Sequence, residues 1–110
     1  MEEVAVGFMG GTGMKTLGGE RHGVSTHYGN VQVEMGEENG KRFAFIDRHA
    51  APVPPHRINY KANITALREL RAKSIIATTT CGIIQGYLPG DMMMVRDFLG
   101  HCLGSVTFFE

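Results

Sequence analysis

Apolar positions recur at helical spacing through residues 59–70, where Tyr60, Ile64, Leu67 and Leu70 share one face and Lys61, Arg68 and Glu69 lie off it. The pattern predicts a helix with one packed side and one wet side. Residues 74–80 are rich in β-branched side chains and lack polar alternation, which predicts a parallel strand covered on both faces. Residues 4–9 form another apolar run, emptying into Gly10-Gly11-Thr12-Gly13. Val31-Gln32-Val33 and residues 42–46 read as two strands, with the Asn39-Gly40 pair between them marking a hairpin turn. The glycine-rich, polar stretch 18–30 reads as a surface loop with His22 and His27 in solvent. Residues 50–55 read as an extended connection, Pro89-Gly90-Asp91 as a turn, and Met92-Met93-Met94-Val95 as a further strand. The fold class expected from this order is α/β, a mixed β-sheet with flanking helices.

Length narrows the picture to a single domain over residues 1–110 with one modest core. Eleven basic residues balance eleven acidic ones without long runs of either sign, so no sequence-independent grip on nucleic acid or anionic lipid is indicated. No apolar run approaches membrane-spanning length. The amino terminus lacks the basic and apolar regions of a secretion signal, and Cys81 and Cys102 have no paired-motif spacing, so a reducing cytoplasm is expected. The apolar Phe108-Phe109 end predicts that the natural chain continues.

Candidate chemistry gathers where the predicted strands stop. The glycine loop could turn backbone amides and the Thr12 hydroxyl toward a phosphate, or could simply be a tight turn. It is not a Walker loop, because the closing lysine and hydroxyl are absent at the required spacing. A dinucleotide-binding loop is disfavoured by the missing third spaced glycine. Asp47-Arg48-His49 ends an apolar strand. An arginine fork with a histidine beside it suits an oxyanion; the bland alternative is an Asp47–Arg48 surface ion pair with His49 capping the strand. The small polar run Thr78-Thr79-Thr80-Cys81-Gly82 lies at the carboxyl end of its strand, where open α/β sheets bind ligands. The methionine triplet reads as core packing, not as a soft-metal site, since no Cys or His flanks it.

Five motifs in order and register resemble the trimeric methylthioadenosine phosphorylase and purine nucleoside phosphorylase family: the Gly10–Gly13 loop, Arg48-His49, residues 54–64, Thr78–Gly82 and Pro89-Gly90-Asp91. The resemblance covers nearly the whole chain but only about the amino-terminal half of a typical member. It implies phosphorolysis, in which inorganic phosphate as co-substrate attacks the anomeric carbon of a purine nucleoside, with no metal or organic cofactor. Carried over position by position, Thr12, Arg48, His49 and Thr79 hold phosphate with the backbone of Gly10, Gly11 and Gly13. Thr80, Cys81 and Gly82 meet the nucleoside. The resemblance further implies a homo-oligomer, a trimer or trimer-based assembly, and a purine-recognising catalytic acid in the carboxyl-terminal half that this sequence does not include.

Three positions depart from the family pattern. Ala50-Ala51-Pro52-Val53 replaces a segment that usually brings a glycine and a second histidine, Arg71-Ala72-Lys73 replaces a helix-ending glycine, and Thr80 replaces a common alanine. These departures leave a second reading open, an inactive phosphorylase fragment acting as a phosphate- or nucleoside-binding or interaction module.

Overall fold

The computed structural model describes residues 3–50, 53–100 and 107–109, which fall into two units, Met1–Thr80 and Cys81–Glu110. The first unit is a mixed five-stranded sheet with one α-helix. Its strands are β1 (Val6–Gly10), β2 (Glu20–Thr26), β3 (Gly29–Glu38), β4 (Lys41–Asp47) and β5 (Ser74–Ala77), and its helix is α1 (Tyr60–Glu69). The sheet order is β2-β3-β4-β1-β5. β1 runs parallel to both neighbours, pairing Phe8 with Phe45 on one side and with Ile76 on the other, while β2, β3 and β4 form an antiparallel meander. The α/β class, with a mixed sheet, is as the sequence predicts.

The hairpin between β3 and β4 turns at the expected Asn-Gly pair. Asn39 and Gly40 both take positive φ, 52° and 77°, the twist that lets a two-residue loop match the twist of the strands it joins. The polar stretch expected to be a loop is instead mostly β2. It is an outermost strand, so its alternate polar side chains remain in water while its backbone pairs with β3. Strand pairing with a neighbour, which no local pattern of residues 20–26 announces, overrides the turn-rich composition. His22 lies 3.7 Å from the Glu20 carboxylate on this exposed surface, and His27 stacks edge-on with Tyr28.

Helix α1 starts where Asn59 caps it. The Asn59 side chain accepts from the Ala62 amide at 3.1 Å and donates to the Tyr28 carbonyl at 2.8 Å, so one residue both caps the helix and ties it to the β2–β3 turn. The buried face is Ala62, Asn63, Ala66 and Leu67, continued by Leu70. Tyr60, expected on that face, is exposed and sits at the first helical position. Alanines at 62 and 66 let the helix approach closely. Leu67 reaches so near Gly7 that a Cβ there would stand 2.8 Å from the leucine Cδ2. With Val4, Met9, Val31, Val33, Ala44 and Ile46 these residues form the core, and burying a side chain the size of Leu67 contributes about 2 kcal/mol.

The helix ends without a glycine. Arg71 takes φ 61°, the Ala72 amide donates to the Leu67 carbonyl at 3.0 Å and the Arg71 amide to Arg68 at 2.9 Å, a Schellman closure built on an ordinary residue. Residue 71 is therefore left-handed despite its Cβ.

On the other face, Phe43 lies over Gly36 and meets Phe8 edge-on, while Phe45 is buried against Gly10. Opposite Phe45 in the register stands Glu34, whose Oε1 accepts from Thr16 Oγ1 at 2.8 Å and from the amides of Leu17 and Gly19 at 3.1 and 3.2 Å. Burial by itself would raise this carboxyl, but the bonds from Thr16, Leu17, Gly19 and Gly18 outweigh it and hold the group below the usual glutamate range.

Strand β5 differs from expectation. It is not covered on both faces. It lies at the sheet edge, where among the described residues no strand pairs with it on the side away from β1, and Ile75 and Ile76 are 43% and 47% exposed. The predicted extended connection falls partly on residues 51 and 52, outside the described residues, and leads into a single 3-10 turn at Pro55–Arg57, where proline fits a first helical position. In the second unit the predicted turn is present, with the Asp91 amide donating to the Leu88 carbonyl and the Leu88 amide to Asp91 Oδ2, both at 3.0 Å. The predicted strand at residues 92–95 is not. Met92 and Met94 are 95% and 94% exposed, since an apolar run becomes a strand only against a neighbour that accepts its backbone bonds. No helix among the described residues is long and apolar enough to cross a membrane.

Two outcomes are expected. Arg71→Gly relieves the left-handed residue and raises stability by about 1 kcal/mol, seen as a melting temperature higher by several degrees. Glu34 has a lowered folded-state pKa, so its stabilisation is complete above its unfolded-state value and lost as pH falls through the folded one. Melting measured from about pH 6 down to about pH 3 should show a decline that is blunted in Glu34→Gln, and equal declines would refute the assignment.

Candidate functional site

Parallel pairing brings the carboxyl ends of β4, β1 and β5 side by side. The ladders on both flanks of β1 run one step past the strands: the Arg48 amide donates to the Gly10 carbonyl at 3.0 Å, and the Thr78 amide donates to the Met9 carbonyl at 2.9 Å. Three segments from distant parts of the sequence are thereby held at one edge of the sheet. These are the glycine loop, the Asp47-Arg48-His49 corner and the threonine run.

The glycine loop closes as a tight turn. The Met14 amide donates to the Gly11 carbonyl at 3.0 Å, and Gly13 takes φ 88° at the third turn position. Gly10 and Gly11 are buried, whereas Thr12 and Gly13 are exposed at the tip. The Thr12 hydroxyl is thus presented to solvent beside the strand ends.

Arg48 is half-buried, and its guanidinium crosses from β4 over the end of β1. Nη1 donates to the carbonyl of Thr78, and the group lies close against Gly11. The ion pair offered as the bland alternative does not form: among the described residues Asp47 makes no salt bridge with Arg48, and its Oδ1 instead accepts the His49 amide at 3.0 Å. His49 is half-buried too. Its Nδ1 lies 3.0 Å from the Val53 carbonyl, and because a carbonyl can only accept, Nδ1 carries the proton. The neutral ring then leaves Nε2 as an acceptor, and the imidazolium makes it a donor.

Thr79 and Thr80 are exposed, with the Thr79 hydroxyl 3.5 Å from the Thr80 carbonyl. Cys81, a free thiol, and Gly82 are exposed as well and belong to the second unit. The structure therefore gathers Gly10, Gly11, Thr12 and Arg48 with the strand end that leads to Thr79, and His49 follows directly from Arg48. Among the described residues no cluster of His, Cys, Asp and Glu could hold a metal ion. Two shallow concavities lie elsewhere, one including Glu3, Lys41 and Lys73, the other Gly18, His22 and Met35; neither contains a candidate residue.

Sequence reasoning placed Thr78 in the candidate run without the role of its carbonyl, and it did not single out the carbonyl of Val53. Both act through backbone carbonyls, which any residue type supplies, so residue identity carries no signal for them. The Thr78 hydroxyl, 3.7 Å from the Met14 sulfur, also ties the threonine run to the glycine loop.

A family model described as the phosphorylase superfamily matches residues 4–110. Over 109 residues the chain is 44% identical to a probable S-methyl-5'-thioinosine phosphorylase of Methanopyrus kandleri, an alignment taking in 94% of this chain and 43% of that protein. It is 39% identical over 113 residues to a probable 6-oxopurine nucleoside phosphorylase of Korarchaeum cryptofilum, covering 97% of this chain and 42% of the relative. A ligand-free mutant of adenosine/methylthioadenosine phosphorylase from Schistosoma mansoni superposes with a TM-score of 0.72 at 32% identity, over 81% of this chain and 34% of that one. The chain spans less than half the length of the curated relatives it matches.

Proposed function

Since the chain belongs to the phosphorylase superfamily, we propose that it carries the phosphate-holding part of a purine nucleoside phosphorylase, a pentosyltransferase that cleaves methylthioadenosine, or inosine and guanosine, to free base and pentose 1-phosphate. The observation that carries this reading is the convergence of Gly11, Arg48 and Thr78 where three parallel strands end.

In the reaction a phosphate oxygen forms a bond to the anomeric carbon while the glycosidic bond breaks, its electron pair leaving with the base, which takes up a proton. The transition state has oxocarbenium character, so the nucleophile must be fixed close to the sugar before the bond opens. Arg48 supplies a planar fork for phosphate oxygens, charge-assisted on each N–H. Thr12 and Thr79 add hydroxyls, and His49 adds Nε2, which donates to phosphate as imidazolium or accepts from a protonated phosphate oxygen when neutral. Thr80, Cys81 and Gly82 contact the nucleoside. The reading gives protonation of the base to no residue of this chain, and it uses inorganic phosphate as co-substrate without a metal or organic cofactor. A homo-oligomer, trimeric or built from trimers, and a cytoplasmic role in purine salvage complete it; the names of the relatives support the substrate class.

A second reading, phosphate binding without turnover, is favoured by the chain's spanning less than half of its relatives. Base release from methylthioadenosine, inosine and guanosine separates the two. The phosphorylase reading expects phosphate-dependent release that falls about 100-fold or more in Arg48→Ala. Release that is indifferent to phosphate, or to Arg48, would sink it. Calorimetric phosphate binding with no release of base supports the second reading.

A further inference from the structure

Gly11 is buried, and its φ lies outside the left-handed range that favours glycine. Nothing in its backbone therefore requires glycine. What requires it is space. A Cβ built on Gly11 would overlap the Arg48 guanidinium, and the three nearest atoms to that point are Nη2, Cζ and Nη1 of the same side chain. A second constraint on the group is the Thr78 carbonyl, which accepts from Nη1. The rest of Arg48 is held at its own backbone, whose amide donates to the Gly10 carbonyl.

We propose that Gly11 is a positioning residue, whose missing Cβ forms the seat in which the Arg48 guanidinium lies against the Thr78 carbonyl. The role differs from that of a loop glycine offering its amide to an anion. Its purpose rests on the phosphate reading above, since a guanidinium seated at three strand ends is oriented for an oxyanion. One Nη1 hydrogen is spent on the carbonyl, and the other N–H groups of the fork remain to meet a ligand. An arginine left free would sample many rotamers and lose entropy on each binding event; seated, much of that ordering is already done. The geometry also explains why an arginine and not a lysine suits position 48. A guanidinium keeps further N–H donors after one has met the Thr78 carbonyl, in a fixed planar fork that the ammonium of a lysine does not offer.

The inference separates seat from scaffold. The three atoms nearest a methyl at residue 11 all belong to the far end of a flexible side chain, so the fold should persist while the guanidinium is displaced. Gly11→Ala is expected to melt within a few degrees of the parent chain. Nitrogen-15 spectra of the free protein should show the Arg48 guanidinium signals losing the protection conferred by the Thr78 carbonyl. Titration with inorganic phosphate should show affinity reduced about tenfold, comparable to the loss in Arg48→Ala, with the double variant no weaker than Arg48→Ala alone. Arg48→Lys should weaken phosphate binding in the parent chain and have little effect in the Gly11→Ala background. A Gly11→Ala chain that fails to fold, guanidinium signals unchanged by Gly11→Ala, or additive losses in the double variant would each overturn the proposal. If Arg48→Ala leaves phosphate binding unchanged, the phosphate reading fails, and the spectra of the free protein still decide whether Gly11 seats the guanidinium.

Discussion

The two-sided parallel pairing of β1 is the constraint on which the first unit depends. One strand must satisfy backbone groups on both edges, and its register aligns Gly10 with Asp47 while Met9 stands opposite Ala77. The residues immediately past those pairs are Gly11, Arg48 and Thr78, so the site's composition follows from the register. A slip of one residue in either ladder would turn the apolar side chains of β1 to the wrong face and separate Arg48 from its carbonyl. Burial enforces the register, because Gly7 alone leaves room for Leu67 and Phe45 lies against Gly10.

The candidate site has a second constraint, the support behind the glycine loop. The turn at residues 11–14 is followed at once by the segment that Glu34 holds through one side-chain and two main-chain donors. A carboxylate placed on a sheet face would ordinarily be unfavourable, and here three donors from one short segment satisfy it. The chain leaving the loop is thereby pinned to β3, while Thr78 bonds to Met14 from the other side. Thr12 thus sits at the exposed tip of a turn anchored at both ends.

The helix and the sheet edge illustrate what local preference can and cannot decide. Arg71 adopts a left-handed conformation because the Schellman bonds and the burial of Leu67 and Leu70 outweigh the strain of one residue, on the order of 1 kcal/mol. β5, by contrast, has the residue types of a fully covered strand, yet Ile75 and Ile76 face solvent at an edge among the described residues. Propensity selects the extended backbone; only a neighbour can cover it.

By itself, the sequence determined the features whose causes lie within a few residues of one another: the α1 period, the Asn39-Gly40 turn, the Leu88–Asp91 turn, and the ordered motifs that identify the family. It also marked Thr12, Arg48, His49 and Thr79 as candidates, because hydroxyl, guanidinium and imidazole groups at strand ends are legible as residue types. Tertiary structure alone decided that residues 20–26 form a strand and that Arg48 rests against Gly11 and the Thr78 carbonyl. The physical reason is common to both. Each outcome depends on a backbone group or an empty volume supplied by another part of the fold, and neither a carbonyl nor a missing Cβ announces in the sequence which side chain it will meet.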